Sequence, residues 1–262
     1  MADPVLTESE QAYAAAFGAM HAARARSTIT SRLSARAMGD AYPAELDASS
    51  SADWPLLGTM IGALRMSRGD RLVDLGCGTG GVGLWLARAF SVCVTGIDVS
   101  GEAAKLATDS VQDFSLPQER AAFKVGSRAA TGLPDAYAHG LICVDALGSG
   151  RDRSGTLREV RRVLKPGGRA VVTSNRSRVA PSLAPWARQA EEAGLLLEAE
   201  QERPHEPGMW RRLFELWIEY EDELRQELGH EQAEGMLAEA EARTPFLAQR
   251  LAVVVTLRRP SA

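Results

Sequence analysis

Only three cysteines, Cys77, Cys93 and Cys143, are spread over the 262 residues. They are too few and too scattered for a disulfide framework or a metal-ligand spacing, and they fit packing in a reducing, cytoplasmic setting. Histidine is nearly as sparse: His21, His139, His205 and His230 stand far apart, so no metal site is expected. No apolar run approaches the roughly 20 residues that span a bilayer. No basic stretch followed by an apolar one opens the sequence, so neither a membrane partner nor export is expected. A surplus of positive charge is missing too. The 30 Lys and Arg against 34 Asp and Glu leave a net charge of -4, which argues against a nucleic-acid partner, because such proteins carry a basic face. The rest is ordinary. A chain that is 45% hydrophobic and 24% charged has a globular composition, and its length suffices for one large α/β domain with additions.

The segment 71–81 organises the rest. Leu72, Val73 and Leu75, with Asp74 among them, form a short apolar run; a glycine-rich turn follows, and 82–90 has helical spacing. Strand, glycine turn and helix bring a ligand's polar tail against backbone N–H groups at a helix N-terminus. Glycine allows the close approach and the positive φ that such a turn needs. A second run, 92–98, ends in Asp98, placed at a strand's C-terminal end to accept the ribose hydroxyls of a nucleoside. Two cofactors fit this pattern. Gly76-x-Gly78-x-x-Gly81 satisfies the dinucleotide fingerprint of NAD enzymes. Asp74, two positions before the first glycine, and the additional Gly80 point instead to a ligand carrying an ammonium and a sulfonium, since an acid beside a pyrophosphate is repelled.

Three stretches in order, Val73-Asp74-Leu75-Gly76-Cys77-Gly78-Thr79-Gly80, Gly96-Ile97-Asp98-Val99-Ser100 and Leu164-Lys165-Pro166-Gly167-Gly168, resemble the class I S-adenosylmethionine-dependent methyltransferases. The resemblance covers about 54–193. It implies an α/β fold with a doubly wound, mostly parallel seven-stranded sheet and helices on both faces. It also implies S-adenosylmethionine as cofactor, S-adenosylhomocysteine as product, and methyl transfer to O, N or C of a small organic acceptor of the natural-product tailoring type. The carried-over cofactor residues are Asp74, Gly76, Cys77, Gly78 and Gly80 around the methionine end, Asp98 on the ribose and Val99 beside the adenine. After the third strand the family reads Gly-Asp before a Leu-Pro, the acid accepting from the adenine amine. Here Gly126-Ser127-Arg128 precedes Leu133-Pro134, so Ser127, a water or the Arg128 backbone inherits that task.

Taken in order, 1–53 reads as an N-terminal helical cover, with a Thr7/Glu10 capping box and Tyr13, Phe17 and Met20 on one stripe. The cofactor-binding core is expected over 54–202, where Asp53 caps a helix opening Trp54-Pro55 and strands fall at 71–75, 92–98, 122–125, 141–145, 169–173 and 195–200. Pro166-Gly167-Gly168 reads as a helix stop before the fifth strand. A helical insertion is expected over 203–250, with a loop at 203–208, helices at 209–228 and 231–242, and a last strand at 251–257 within 251–262. In relatives such helices cover the substrate, which makes Tyr13, Trp54, His205, Trp210, Phe214 and Trp217 the candidate pocket residues. The tryptophan stripe reads equally as core packing or as the face of a homodimer.

Methyl transfer from a sulfonium is an in-line displacement that needs alignment and desolvation, and a general base only where the nucleophile arrives protonated. Several tailoring relatives carry a histidine just after the fourth strand, whereas 144–151 holds none. Asp145, at a strand end facing the crevice, is the candidate base, with Tyr13, Tyr42 and His21 behind it; Asp145 serves the methionine amine equally well. Three classes stay open: a methyltransferase, an NAD-type oxidoreductase, for which the Tyr-x-x-x-Lys pair after the fourth strand is missing, and a non-catalytic S-adenosylmethionine-binding relative. Pocket shape, not fold, decides the acceptor.

Overall fold

A computed structural model describes residues 6–47, 49–147, 153–179 and 184–261. The apolar runs become strands β1 (Arg71–Leu75), β2 (Cys93–Asp98), β3 (Ala121–Val125), β4 (Ala138–Cys143), β5 (Leu164–Ser177), β6 (Leu196–Glu202) and β7 (Arg250–Arg258). They form one seven-stranded sheet in the order β3-β2-β1-β4-β5-β7-β6. β1 to β5 pair in parallel, and β7 runs antiparallel to β5 and β6. This is the doubly wound, mostly parallel sheet expected from the sequence. The central β1, β2 and β4 are almost continuously buried, as parallel strands covered on both faces must be. β6, at an edge, alternates between half-buried and exposed.

Before and between the strands run α1 (Glu8–Arg24), α2 (Ile29–Met38), α3 (Trp54–Leu64), α4 (Gly81–Phe90), α5 (Gly101–Asp109), α6 (Arg153–Val163), α7 (Trp186–Glu192), α8 (Glu206–Glu219), α9 (Glu221–Leu228) and α10 (His230–Arg243). Their starts follow from side-chain caps. Thr7 and Glu10 form the reciprocal box on α1, Asp53 accepts from Leu56 N–H at 2.8 Å, and Ser100 accepts from Ala103 N–H at 3.2 Å; each satisfies a donor that the first turn leaves open. Leu157, Val160 and Val163 of α6 and Trp186 of α7 pack on one face of the sheet. Leu57 and Met60 of α3 and Leu84 and Leu86 of α4 pack on the other. The strand order reverses between β1 and β4, so the crevice at their C-terminal ends is the topological switch point where ligands of such sheets bind.

Four local readings change. β5 does not start at Arg169: it runs back through Pro166-Gly167-Gly168 to Leu164, because Gly167 N–H donates to Arg259 O and Arg259 N–H to Gly168 O, extending the pairing with the C-terminal segment. β4 begins three residues earlier than expected and ends at Cys143, releasing Asp145 into the turn. The loop expected at 203–208 is half helix, since Pro207 sits in the first turn of α8, where its missing N–H costs nothing. The helix expected over 209–228 breaks at Tyr220, where φ -109 and ψ 28 leave the helical region. The polar stretch 148–154, which the sequence marks as a loop after the fourth strand, lies mostly outside the described residues.

The two covers, 1–53 and 203–250 in the sequence reading, share one core. Ala23, Ile29 and Leu33 pack with Leu213, Phe214, Trp217, Leu224 and Met236 in a single buried cluster. Removing the insertion would therefore strip α2 of its partner, so the two segments act as one layer.

Candidate functional site

The turn after β1 is built around Gly76, whose φ is +70 and whose Cβ, if it had one, would fall 2.2 Å from the Ala146 Cβ. Only glycine fits there, and the turn is thereby locked against the residue that follows Asp145. Asp74 lies beneath it, 3% exposed, with its carboxylate accepting from Gly83 N–H in the first turn of α4. Burial first, and the Asp98 charge second, push its pKa up to about 7, against the Gly83 hydrogen bond. Asp74 thus braces the turn from beneath.

A measurable consequence follows. The unfolded state, with an ordinary carboxyl, loses its proton near pH 4, while the folded state keeps one until about pH 7. Stability then falls as pH rises through that window, and the penalty is complete above it. Asp74→Asn, which retains an acceptor for Gly83, should be more stable than the parent by about 4 kcal/mol at pH 8 and by little at pH 4. Urea unfolding at the two pH values checks this; equal differences at both would refute it.

Asp98 ends β2 half-buried, its two oxygens accepting from Gly78 N–H and Ser100 N–H, both at 2.9 Å. The two contacts fix its orientation at the strand end. Val99 beside it is half-buried. Cys77 packs its sulfur near Gly96, and burial, then the Asp74 and Asp98 charges, push its thiol well up, so it serves as a neutral filler. Gly80 opens α4 with φ +84. Ser127 and Arg128 follow β3, the Arg128 guanidinium donating to Ala146 O.

Helix α1 lies across this crevice. Glu10 accepts from Ser127 Oγ, a Cβ on Gly18 would sit 3.1 Å from Ser100 Oγ, and a Cβ on Gly78 would sit 3.4 Å from the His21 ring. From Glu10 to His21 the helix spans about 16 Å. His21 is 8% exposed, with its Nδ1 buried and unpartnered among the described residues. Burial lowers its pKa, Asp98 opposes that and Arg24 adds to it, which keeps a neutral imidazole over the glycine turn. Tyr13 stacks on Phe17 at 4.2 Å; burial raises its pKa, while Arg128 and Asp98 act on it with opposite signs.

Asp145 sits past the end of β4 with φ +53, an exposed carboxylate. Its Oδ2 accepts from Ser51 N–H at 2.6 Å, and its Oδ1 from Ser51 Oγ at 3.1 Å and Thr173 Oγ1 at 2.9 Å. Arg203 in turn donates to Ser51 Oγ at 2.8 Å and pairs with Asp53 at 3.4 Å. Sequence reasoning finds Asp145 but not Ser51, Thr173 or Arg203, which carry no local pattern. It also assigns Glu10 only a capping role.

The remaining candidates separate from the crevice. Phe214 and Trp217 are buried in the cover's core, unavailable either to a substrate or to a dimer face. Trp210 has the Arg243 and Arg250 guanidinium groups 5.5 and 5.9 Å from its ring and donates to Glu206 at 2.9 Å. Trp54 packs edge-on against Trp85 at 5.8 Å. His205 is exposed ahead of α8. Tyr42 is half-buried, its pKa raised by burial and then by Asp47. A cavity of about 220 Å³ near the end of β5 is lined by Arg176, Arg243 and Arg250, but each of these pairs with a glutamate. Among the described residues, no cluster of His, Cys, Asp or Glu is placed to hold a metal, and no helix is long and apolar enough to cross a membrane.

Residues 72–168 match a family described as a methyltransferase domain. The chain is 34% identical over 110 residues to the 27-O-demethylrifamycin SV methyltransferase of Amycolatopsis mediterranei, covering 42% of this chain and 40% of that protein. It is 32% identical over 111 residues to the S-adenosyl-L-methionine-dependent Diels-Alderase iccD of Talaromyces variabilis, covering 42% and 38%. The chain therefore spans about two fifths of the length of these relatives. In fold it is similar to the [4+2]-cyclase SpnF, with a TM-score of 0.69, 22% identity, and 79% and 82% of the two chains covered.

Proposed function

We propose that the chain, whose residues 72–168 form a methyltransferase domain on a methyltransferase-like fold, is an S-adenosylmethionine-dependent methyltransferase that moves a methyl group to O, N or C of a small organic acceptor, a natural-product scaffold. The observation that carries this is Asp98, fixed by the Gly78 and Ser100 N–H groups at the mouth of a glycine turn. A carboxylate held at two oxygens on a strand end suits vicinal hydroxyls. The N-terminal turn of α4 suits the methionine carboxylate, and the Asp74 and Asp98 charges favour the adjoining cation over a pyrophosphate, which disfavours NAD. S-adenosylmethionine supplies an electrophilic methyl on sulfur. The chain's own residues orient and desolvate: α1 closes over the turn, His21 offers a neutral nitrogen there, and Asp145 is positioned by Ser51 and Thr173. His21, whose Nε2 edge faces the turn at Gly78, is the better candidate to take an acceptor's proton, since Asp145 already accepts three hydrogen bonds. The partner is a small molecule; a net charge of -4 offers nucleic acid little, and three unpaired cysteines suit a cytoplasmic setting.

A second reading draws on the cyclase names of two similar proteins: the cofactor would be held without being consumed. Titration with S-adenosylhomocysteine, with NAD as control, should show micromolar binding of the first alone. Incubation with S-adenosylmethionine and polyketide and phenolic acceptors should then release S-adenosylhomocysteine. NAD binding would end the cofactor assignment, and acceptor conversion without cofactor turnover would favour the second reading.

A further inference from the structure

Past Val172, β5 leaves β4 and pairs with β7 alone, so the two run on as a ribbon in which Ser177 is in register with Arg250. The ribbon leaves the sheet at the C-terminal ends of the parallel strands, the end at which Asp98 and Asp145 stand. Thr173, which holds Asp145, lies on β5 only about 10 Å along the strand from Arg176. At the ribbon's tip is the cavity of about 220 Å³, walled by Arg176, Arg243, Arg250 and Phe246. It adjoins the crevice. The Tyr13 hydroxyl is within reach of both the Arg243 and the Asp98 charges, and Glu206 is within reach of both Arg250 and Asp145.

The guanidinium groups converge here, and their glutamates use only part of them. Arg176 donates through Nη2 to Glu200, Arg243 through Nη1 to Glu239, and Arg250 through Nη2 to Glu206. A guanidinium carries donors on every nitrogen. The Nε–H groups of Arg176 and Arg250 are buried and meet no acceptor among the described residues. Such donors are costly, and native structures seldom keep one unless a water, an ion or a ligand completes it. Among the described residues no carboxylate lines the cavity, so the glutamates orient the cations without facing its interior. A guanidinium held in this way offers a planar fork to the oxygens of a carboxylate or a phosphate. Phe246, 66% exposed, sets an uncovered apolar wall beside it.

We propose that this cavity holds the acidic group of the acceptor, so that the scaffold methylated is an organic oxyanion, a carboxylic acid or a phosphate ester. Arg176 and Arg250 bind its oxygens, Arg243 adds positive charge, and Phe246 covers the carbon next to the acid. The reacting atom then lies back along β5 toward Asp145. These residues bind and orient the acceptor and take no part in the transfer itself. The inference rests on the methyltransferase reading above and names the acceptor class for it.

The probes are benzoate, phenyl phosphate and their neutral counterpart benzamide, titrated by ligand-observed NMR into the full chain saturated with S-adenosylhomocysteine. The saturating ligand fills the glycine turn, where an anion would otherwise bind. At least one anion should bind about 10- to 100-fold more tightly than benzamide, the range expected for hydrogen bonds between charged groups. The tighter of the two identifies the acid. Arg176→Gln should cut the preference to about threefold or less, with S-adenosylhomocysteine binding unchanged. Arg243→Gln, whose partner Glu239 is exposed, repeats the test on the other wall and should lower the preference by a smaller factor. In the acceptor screen, free acids at low concentration should turn over at least about tenfold faster than their methyl esters. Anions that bind no better than benzamide, a preference that survives Arg176→Gln, or esters that turn over as fast as acids overturn the inference. Each leaves the cofactor reading intact, because calorimetric titration of the same protein with S-adenosylhomocysteine reports on that separately. A parent that does not bind S-adenosylhomocysteine overturns both.

Discussion

Replacing Asp98 with alanine should weaken S-adenosylhomocysteine binding about 100-fold, the equivalent of about 3 kcal/mol. The size follows from the geometry. The carboxylate is held by two N–H donors at 2.9 Å, so a ligand need not order it. Hydrogen bonds to a charged group contribute about 1.5–3 kcal/mol each, and two ribose hydroxyls can engage it. Alanine also leaves the Gly78 and Ser100 N–H groups without their acceptor, which loosens the turn itself. Asp98→Asn separates the two effects, because its amide oxygen can still accept from one of those donors while the charge is gone. An intermediate loss is expected for it. Calorimetric titration of both variants, with thermal melts to confirm folding, decides the matter; an alanine variant that binds within threefold of the parent would remove the ribose from Asp98.

The parts of this site that the sequence makes legible are those whose cause is local. Gly76 must be glycine because its own φ is positive, and Asp98 stands out because it ends an apolar run. The Thr7–Glu10 box and the Asp53 cap are likewise written within four residues. Ser51, Thr173 and Arg203 carry no such mark. Arg203 reaches Ser51 across 152 positions, and neither residue belongs to a pattern that singles it out. Glu10 is a sharper case, since its local role was legible and hid the second one: the carboxylate that closes the capping box also holds Ser127. The break at Tyr220 escaped for a different reason. Leu213, Phe214, Trp217 and Leu224 face the same core on both sides of it, so the apolar spacing continues where the helix does not.

That shared core sets the second large effect. Phe214 is fully buried, with its ring 5.5 Å from Trp210 and 5.1 Å from Trp217. Truncation to alanine removes the aromatic contacts and leaves a cavity between stiff neighbours, and such changes cost about 3–5 kcal/mol. For a chain of this size each kcal/mol lowers the midpoint by about 2–4 °C, so a fall of roughly 10 °C is expected. Phe214→Leu, which refills most of the volume, should recover more than half of it. The functional cost should be indirect. Phe214 touches no candidate ligand atom, but its cluster includes Ala23 of α1, the helix that carries Glu10 and His21 over the crevice. Loosening the cluster should raise the dissociation constant for S-adenosylhomocysteine by less than Asp98→Ala does. A melt lowered by less than about 2 °C would mean that the cover does not fold against the N-terminal helices as one layer.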